Sequence, residues 1–179
     1  MSDITVRALD EGLPFGVRVS GVTHENLADE SVRSQLNDIF AKEGMIVFED
    51  VEQSAKMQVA ISTVFGPLKD HPVKMVERLD QDAMPGVITI RTSPDAAICE
   101  IDGRELITWQ PWHFDHTYNN ELNLAGVLRA EVIAPQDGMT AFADGIQIYN
   151  DMDPAIRAKA EALELLRSHS WSGNIRELS

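Results

Sequence analysis

Between Asp29 and Gly44 the apolar side chains Val32, Leu36, Ile39 and Phe40 recur at i, i+4, i+7 and i+8, one stripe of a 3.6-residue helix. Asp29 stands at the N-cap, and Gly44 stands where a left-handed residue ends a helix. A helix with one apolar stripe must cover something. The β-branched runs Ile4–Leu9 and Gly16–Val22, parted by Gly12-Leu13-Pro14, read as two strands and a turn. Met45-Ile46-Val47-Phe48 is a short, continuously apolar run of the buried-strand kind. Ser54 caps a second helix, whose apolar positions Met57, Val59, Ala60, Ile61, Val64 and Phe65 cover a broad face and which Gly66-Pro67 terminates.

Further on, Leu68 to Lys74 reads as an extended or turn segment and Val87 to Thr92 as a strand. The polar stretch from Ser93 to Thr108 reads as a long loop, either a lid or binding loop or a disordered hairpin connection. Leu124 to Ile133 has strand length, Pro135-Gln136-Asp137-Gly138 is a turn, and Thr140 to Asp144 is short and extended. Gly145 to Met152 is helical in character. Asp153-Pro154 is an N-cap with proline at the first helical position, followed by the apolar face Ile156, Ala160, Leu163 and Leu166. Strands paired across turns with helices to the side predict an α+β fold, an antiparallel β core with helical additions, in a single domain over residues 1–179.

The 179 residues carry a formal charge of −14, with Lys and Arg scattered rather than clustered. Such a chain repels phosphate backbones and anionic membrane surfaces, so neither nucleic acid nor membrane is an expected partner. Cys99 is the single cysteine, which excludes an internal disulfide and a cysteine-rich zinc site and fits a reducing cytosol. The start, Met1-Ser2-Asp3-Ile4, lacks the basic and apolar regions of a signal peptide, and a cytoplasmic protein is the expectation. Oligomeric state stays open, a homo-oligomer included.

The chemistry concentrates at Trp112-His113-Phe114-Asp115. In an extended strand His113 and Asp115 share one side, and Phe114 and His116 the other. One imidazole and one carboxylate presented together are two thirds of the two-histidine, one-carboxylate triad that holds ferrous iron and leaves positions open for substrates. The plain alternative is a strand end with a solvated aspartate and a partly buried histidine.

The neighbouring motifs weigh on that choice. Phe65-Gly66-Pro67-Leu68 with His71-Pro72, then Trp112-His113-Phe114-Asp115, then Pro135-Gln136-Asp137-Gly138-Met139-Thr140, then Phe142-Ala143-Asp144 leading to Tyr149 and Asp153-Pro154, then His169, follow in order. In these pieces the chain resembles the TauD/TfdA (taurine dioxygenase) family of Fe(II)- and 2-oxoglutarate-dependent dioxygenases. The resemblance implies a double-stranded β-helix, or jelly-roll, core with flanking helices, incomplete in this chain. It implies iron(II) as metal, 2-oxoglutarate and O2 as co-substrates, and hydroxylation of a small anionic organic substrate with release of succinate and CO2. It further implies His113 and Asp115 as the first two iron ligands and Thr140 as a hydroxyl bonded to a carboxylate of 2-oxoglutarate. His71 matches a position that contacts the acidic group of the substrate.

Departures from the family pattern bear on the substrate. Trp109 replaces an asparagine that helps bind a substrate amine, and Lys74 stands where taurine-oxidising members have an aromatic residue. Trp109 and Lys74, with His71, are the substrate candidates, and together they suit a sulfonate or carboxylate with an apolar or aromatic body. Asp137-Gly138-Met139-Thr140 replaces the commoner Gly-Gly-Asp-Thr. The family's distal histidine ligand and 2-oxoglutarate-binding arginine have no counterpart in this sequence; Arg167, Arg176 and His169 come too early in the family order. His116 and His169 are assigned to packing or solvent. Either the sequence is a stretch of a longer enzyme or it is a naturally short relative with a broken site, and the intact ligand and cofactor positions favour the former. The competing readings are a non-catalytic jelly-roll module that binds a small acid or a partner, and a zinc hydrolase. The zinc reading is disfavoured because zinc catalytic sites use three protein ligands richer in histidine.

Overall fold

In the computed structural model, strand β2 (Val17–Ser20) alternates buried and half-buried residues: Val17 and Val19 enter the core, while Arg18 and Ser20 face the other way. The structure describes residues 4–80, 82–91, 95–107, 112–115, 123–136 and 138–168. Strand β1 (Thr5–Ala8) pairs antiparallel with β2, and β3 (Ile46–Phe48) pairs parallel on its other edge, giving the order β1-β2-β3. Helix α1 (Glu30–Glu43) makes the crossover that a parallel pair needs. Asp29 caps it by accepting the Ser31 amide N–H at 2.8 Å, and Gly44, at φ 70°, closes it. The Ser31 hydroxyl donates to the same carboxylate, and these two bonds hold the Asp29 carboxyl below its ordinary pKa.

Helix α2 (Ala55–Ser62) is capped by the Ser54 hydroxyl, which accepts from the Met57 amide at 3.1 Å. It ends before Gly66-Pro67, because Arg33 and Asn37 of α1 take the carbonyls of Thr63 and Val64 and stop the ladder there. Leu36 and Val19 are fully buried at the centre of a cluster that includes Leu27, Met57 and Ile61. The rings of Phe40 and Phe65 meet at 5.0 Å in a tilted arrangement.

Two further sheets follow, each of two strands. Strands β4 (Arg78–Asp80) and β5 (Met84–Ile88) pair antiparallel with an irregularity between Arg78 and Asp80, and β5 lies against α2. The expected strand from Val87 to Thr92 is thus shifted toward the N-terminus, and β4 carries no apolar alternation that marks it. The expected long loop from Ser93 to Thr108 is also corrected. Ile98–Ile101 (β6) and Arg104–Ile107 (β7) form a hairpin across Asp102-Gly103. Both turn residues have positive φ, 52° and 73°, the backbone of a two-residue type I′ turn whose twist matches the strands.

The chain divides into two compact units, Met1–Ile133 and Ala134–Ser179. In the second, Asp144 caps α3 (Gly145–Asp151) by accepting the Ile146 amide, and Asp153 accepts the Ala155 amide at the start of α4 (Pro154–Ser168). The Tyr149 hydroxyl bonds to Glu161, and the Arg157 guanidinium lies 5.6 Å from the Tyr149 ring centroid. The described residues are thus mixed α and β structure with three small sheets. Among them, no helix is long and apolar enough to cross a membrane.

Candidate metal and acid-binding site

The His113 and Asp115 side chains do converge, although residues 112–115 form a bend and turn rather than the strand expected for them. Nε2 of His113 lies 3.3 Å from Oδ1 of Asp115, a contact that becomes an ion pair only when the imidazole is protonated. Their side chains are 52% and 73% exposed, so both are open to a ligand from solvent. The turn brings i and i+2 together without a pleat, which leaves Trp112 and Phe114 on the surface as well.

The backbone behind this pair is fixed from α2. The strand expected from Leu124 to Ile133 does not form: among the described residues, 123–133 pair in no sheet ladder, and Ala125 and Val127 pack on the core. The Gln58 amide of α2 donates to the Val127 carbonyl at 3.0 Å and accepts from Arg129 Nε at 3.3 Å. A Cβ on Gly126 would stand 4.0 Å from Oδ2 of Asp115, so this braced strip runs under the carboxylate.

Metal–ligand bonds of about 2.1 Å at right angles put neighbouring donor atoms about 3 Å apart. The His113–Asp115 spacing of 3.3 Å fits two such positions, and a nitrogen with a carboxylate oxygen is a donor set suited to ferrous iron. Among the described residues, no group of three or more His, Cys, Asp or Glu gathers to hold a metal.

His71 and Lys74 lie on a second feature, the loop between α2 and β4. Val73 donates its amide N–H to Nδ1 of His71 at 3.1 Å, closer than the 3.4 Å from that nitrogen to the Val73 carbonyl oxygen. This contact assigns the proton of the neutral ring to Nε2. Lys74 Nζ lies 2.8 Å from Oδ2 of Asp70. Arg78, which sequence reasoning missed, gathers this loop: it donates to Asp70 Oδ1 and to the carbonyls of His71, Val73, Lys74 and Val76. Bonds from Lys74 first, and Arg78 next, hold the Asp70 carboxyl below its ordinary pKa. The loop leaves β5 closely, at Gly86, where a Cβ would stand 3.0 Å from Leu68 Cβ and 3.1 Å from the Lys69 carbonyl oxygen. Any larger residue there would push the loop away.

Thr140 is exposed in the second unit, on a segment that pairs with no strand among the described residues. Trp109, His116 and His169, and Asp137 of the turn before Thr140, lie outside the described residues.

Comparison with known proteins bears on what these residues serve. The chain is 27% identical over 158 residues to an (S)-phenoxypropionate/alpha-ketoglutarate-dioxygenase of Sphingobium herbicidovorans, an overlap of 88% of this chain and 52% of that protein. It is 26% identical over 158 residues to an alpha-ketoglutarate-dependent 2,4-dichlorophenoxyacetate dioxygenase of Cupriavidus pinatubonensis, covering 86% and 54%. A second (S)-phenoxypropionate/alpha-ketoglutarate-dioxygenase, from Delftia acidovorans, is 25% identical over 182 residues, covering 97% and 59%. The chain spans about half the length of the curated relatives it matches. The profile of the family described as "Taurine catabolism dioxygenase TauD, TfdA family" matches residues 5–177, and the chain belongs to that family.

Proposed function

We propose that the whole protein is an Fe(II)- and 2-oxoglutarate-dependent dioxygenase that hydroxylates a small organic acid with an apolar or aromatic body, an aryloxy acid first among them. The convergence of His113 and Asp115 at 3.3 Å, in a chain of this family, carries the reading. The names of the relatives support the substrate class, since all three act on aryloxy acids. In this reading the whole protein is one catalytic domain with a jelly-roll core, acting in the cytosol.

His113 and Asp115 would hold the iron, which when bound supplies the oxidising power that couples 2-oxoglutarate decarboxylation to hydroxylation. The chain's own work is placement. Gln58 braces the strip behind Asp115, so the carboxylate keeps its position relative to the imidazole. The Thr140 hydroxyl donates to a carboxylate of 2-oxoglutarate. His71, with its neutral-ring proton on Nε2, donates to the acid group of the substrate, and Lys74 supplies positive charge beside it. Trp109 forms an apolar wall for the body of the substrate.

Anaerobic addition of Fe(II) and 2-oxoglutarate to the whole protein tests the class. A weak visible charge-transfer band is expected, lost in His113→Ala. No band in the wild type would overturn the oxygenase reading and leave a small-acid-binding module.

A further inference from the structure

Arg78 is the most enclosed charged group in the neighbourhood of the substrate candidates, its side chain only 4% exposed. Its guanidinium reaches the carbonyl oxygens of His71 (2.7 Å), Val73 (3.2 Å), Lys74 (3.0 Å) and Val76 (2.5 Å), and Nε reaches Asp70 Oδ1 at 3.0 Å. Four carbonyl dipoles from one short loop point at one cation. Such a loop holds its shape only while a planar fork of donors fills its centre, and the point charge of a lysine cannot serve that many directions. Asp70 completes the arrangement by holding Lys74 Nζ and Arg78 together, so the placement of the ammonium depends on the placement of the guanidinium. Both cations are thus held by one carboxylate, which keeps the Lys74 ammonium at the loop that Arg78 shapes.

We propose that Arg78 is a positioning residue for acid recognition: its buried guanidinium shapes residues 70–76 so that His71 and Lys74 together meet the carboxylate of an aryloxy acid. The assignment rests on the substrate role proposed above for His71 and Lys74. Arg78 touches no substrate itself. It acts through the His71 carbonyl and through Asp70.

The test titrates phenoxyacetate into the whole protein loaded with Fe(II) and 2-oxoglutarate under anaerobic conditions. Arg78→Lys should weaken phenoxyacetate binding about tenfold while the Kd for 2-oxoglutarate stays within about twofold. Binding of uncharged 2-phenoxyethanol should be the same in both proteins. In a His71→Ala/Lys74→Ala background the Arg78→Lys change should have no further effect, a coupling that a merely structural arginine would not produce. Equal weakening for phenoxyacetate, phenoxyethanol and 2-oxoglutarate would overturn the proposal. If His71→Ala/Lys74→Ala leaves phenoxyacetate binding unchanged, or the wild type binds none, the acid-recognition reading fails and the Arg78 assignment with it. If that double variant weakens binding and Arg78→Lys does not, only the Arg78 assignment fails. Should Arg78→Lys not fold, Arg78→Gln replaces it, and amide exchange over residues 70–78 of the wild type must slow on phenoxyacetate binding; unchanged exchange overturns the proposal.

Discussion

The body formed by β2, α1 and α2 and the segment that carries His113 and Asp115 differ in what surrounds their side chains. In the first, Val19 and Leu36 are sealed on all sides and every helix end is capped or bonded to a neighbouring side chain. In the second, the two candidate ligands stand exposed on a turn, with a strip beneath them that Gln58 fastens to α2. Closed packing resists change because each lost methylene leaves a void. An open ligand pair costs little to alter structurally, yet its chemistry depends on both members. Stability and the proposed chemistry therefore sit in different parts of the same unit, and substitutions should separate them.

The largest expected effect is on chemistry alone. On the function proposed above, His113→Ala in the whole protein should lower turnover of an aryloxy acid by about a thousandfold, on the order of 4 kcal/mol of transition-state stabilisation, with an unchanged urea midpoint. A matching loss of stability would break the separation. Leu36→Ala should do the opposite, costing about 3 kcal/mol in urea unfolding while the folded fraction keeps its iron affinity. Gln58→Ala probes the joint between the regions. Losing its bonds to Val127 and Arg129 should cost about 1 kcal/mol in stability and weaken iron binding about tenfold, read by titration against a chelator. An unchanged iron affinity would mean that the brace does not reach Asp115.

The smallest effect is one of pH. The Asp70 carboxyl titrates below its ordinary value in the folded chain, so its contribution is fully present above the unfolded pKa of about 4 and is lost as pH falls through the lowered folded value. Amide protection over residues 70–78, taken relative to the intrinsic exchange rate at each pH, should therefore fall in that acid range in the wild type and show no such step in Asp70→Asn. A step of equal size in both proteins would assign the transition to another group.

The helix ends were legible because their signals are local. Asp29 and Ser54 in the first region, and Asp144 and Asp153 in the second unit, each bond an amide two or three residues ahead, and Gly44 takes the left-handed conformation that ends α1, so each can be read from a few neighbouring residues. The hairpin of β6 and β7 was legible in principle through Asp102-Gly103, but the acidic residues around it mask the alternation that places Cys99, Ile101 and Leu106 on the less exposed face.

By itself the sequence determined the caps, the helix stripes, the strand pair at the N-terminus and the ordered motifs that identify the family, all set by residue type and near spacing. Only the tertiary structure decided that His113 meets Asp115 on a turn, that Gln58 fastens the strip behind them, and that Arg78 gathers four carbonyls beneath His71 and Lys74. Those arrangements depend on where the backbone carries donors and acceptors after folding. A carbonyl oxygen is present in every residue, and no side-chain pattern announces which ones will turn toward the same guanidinium.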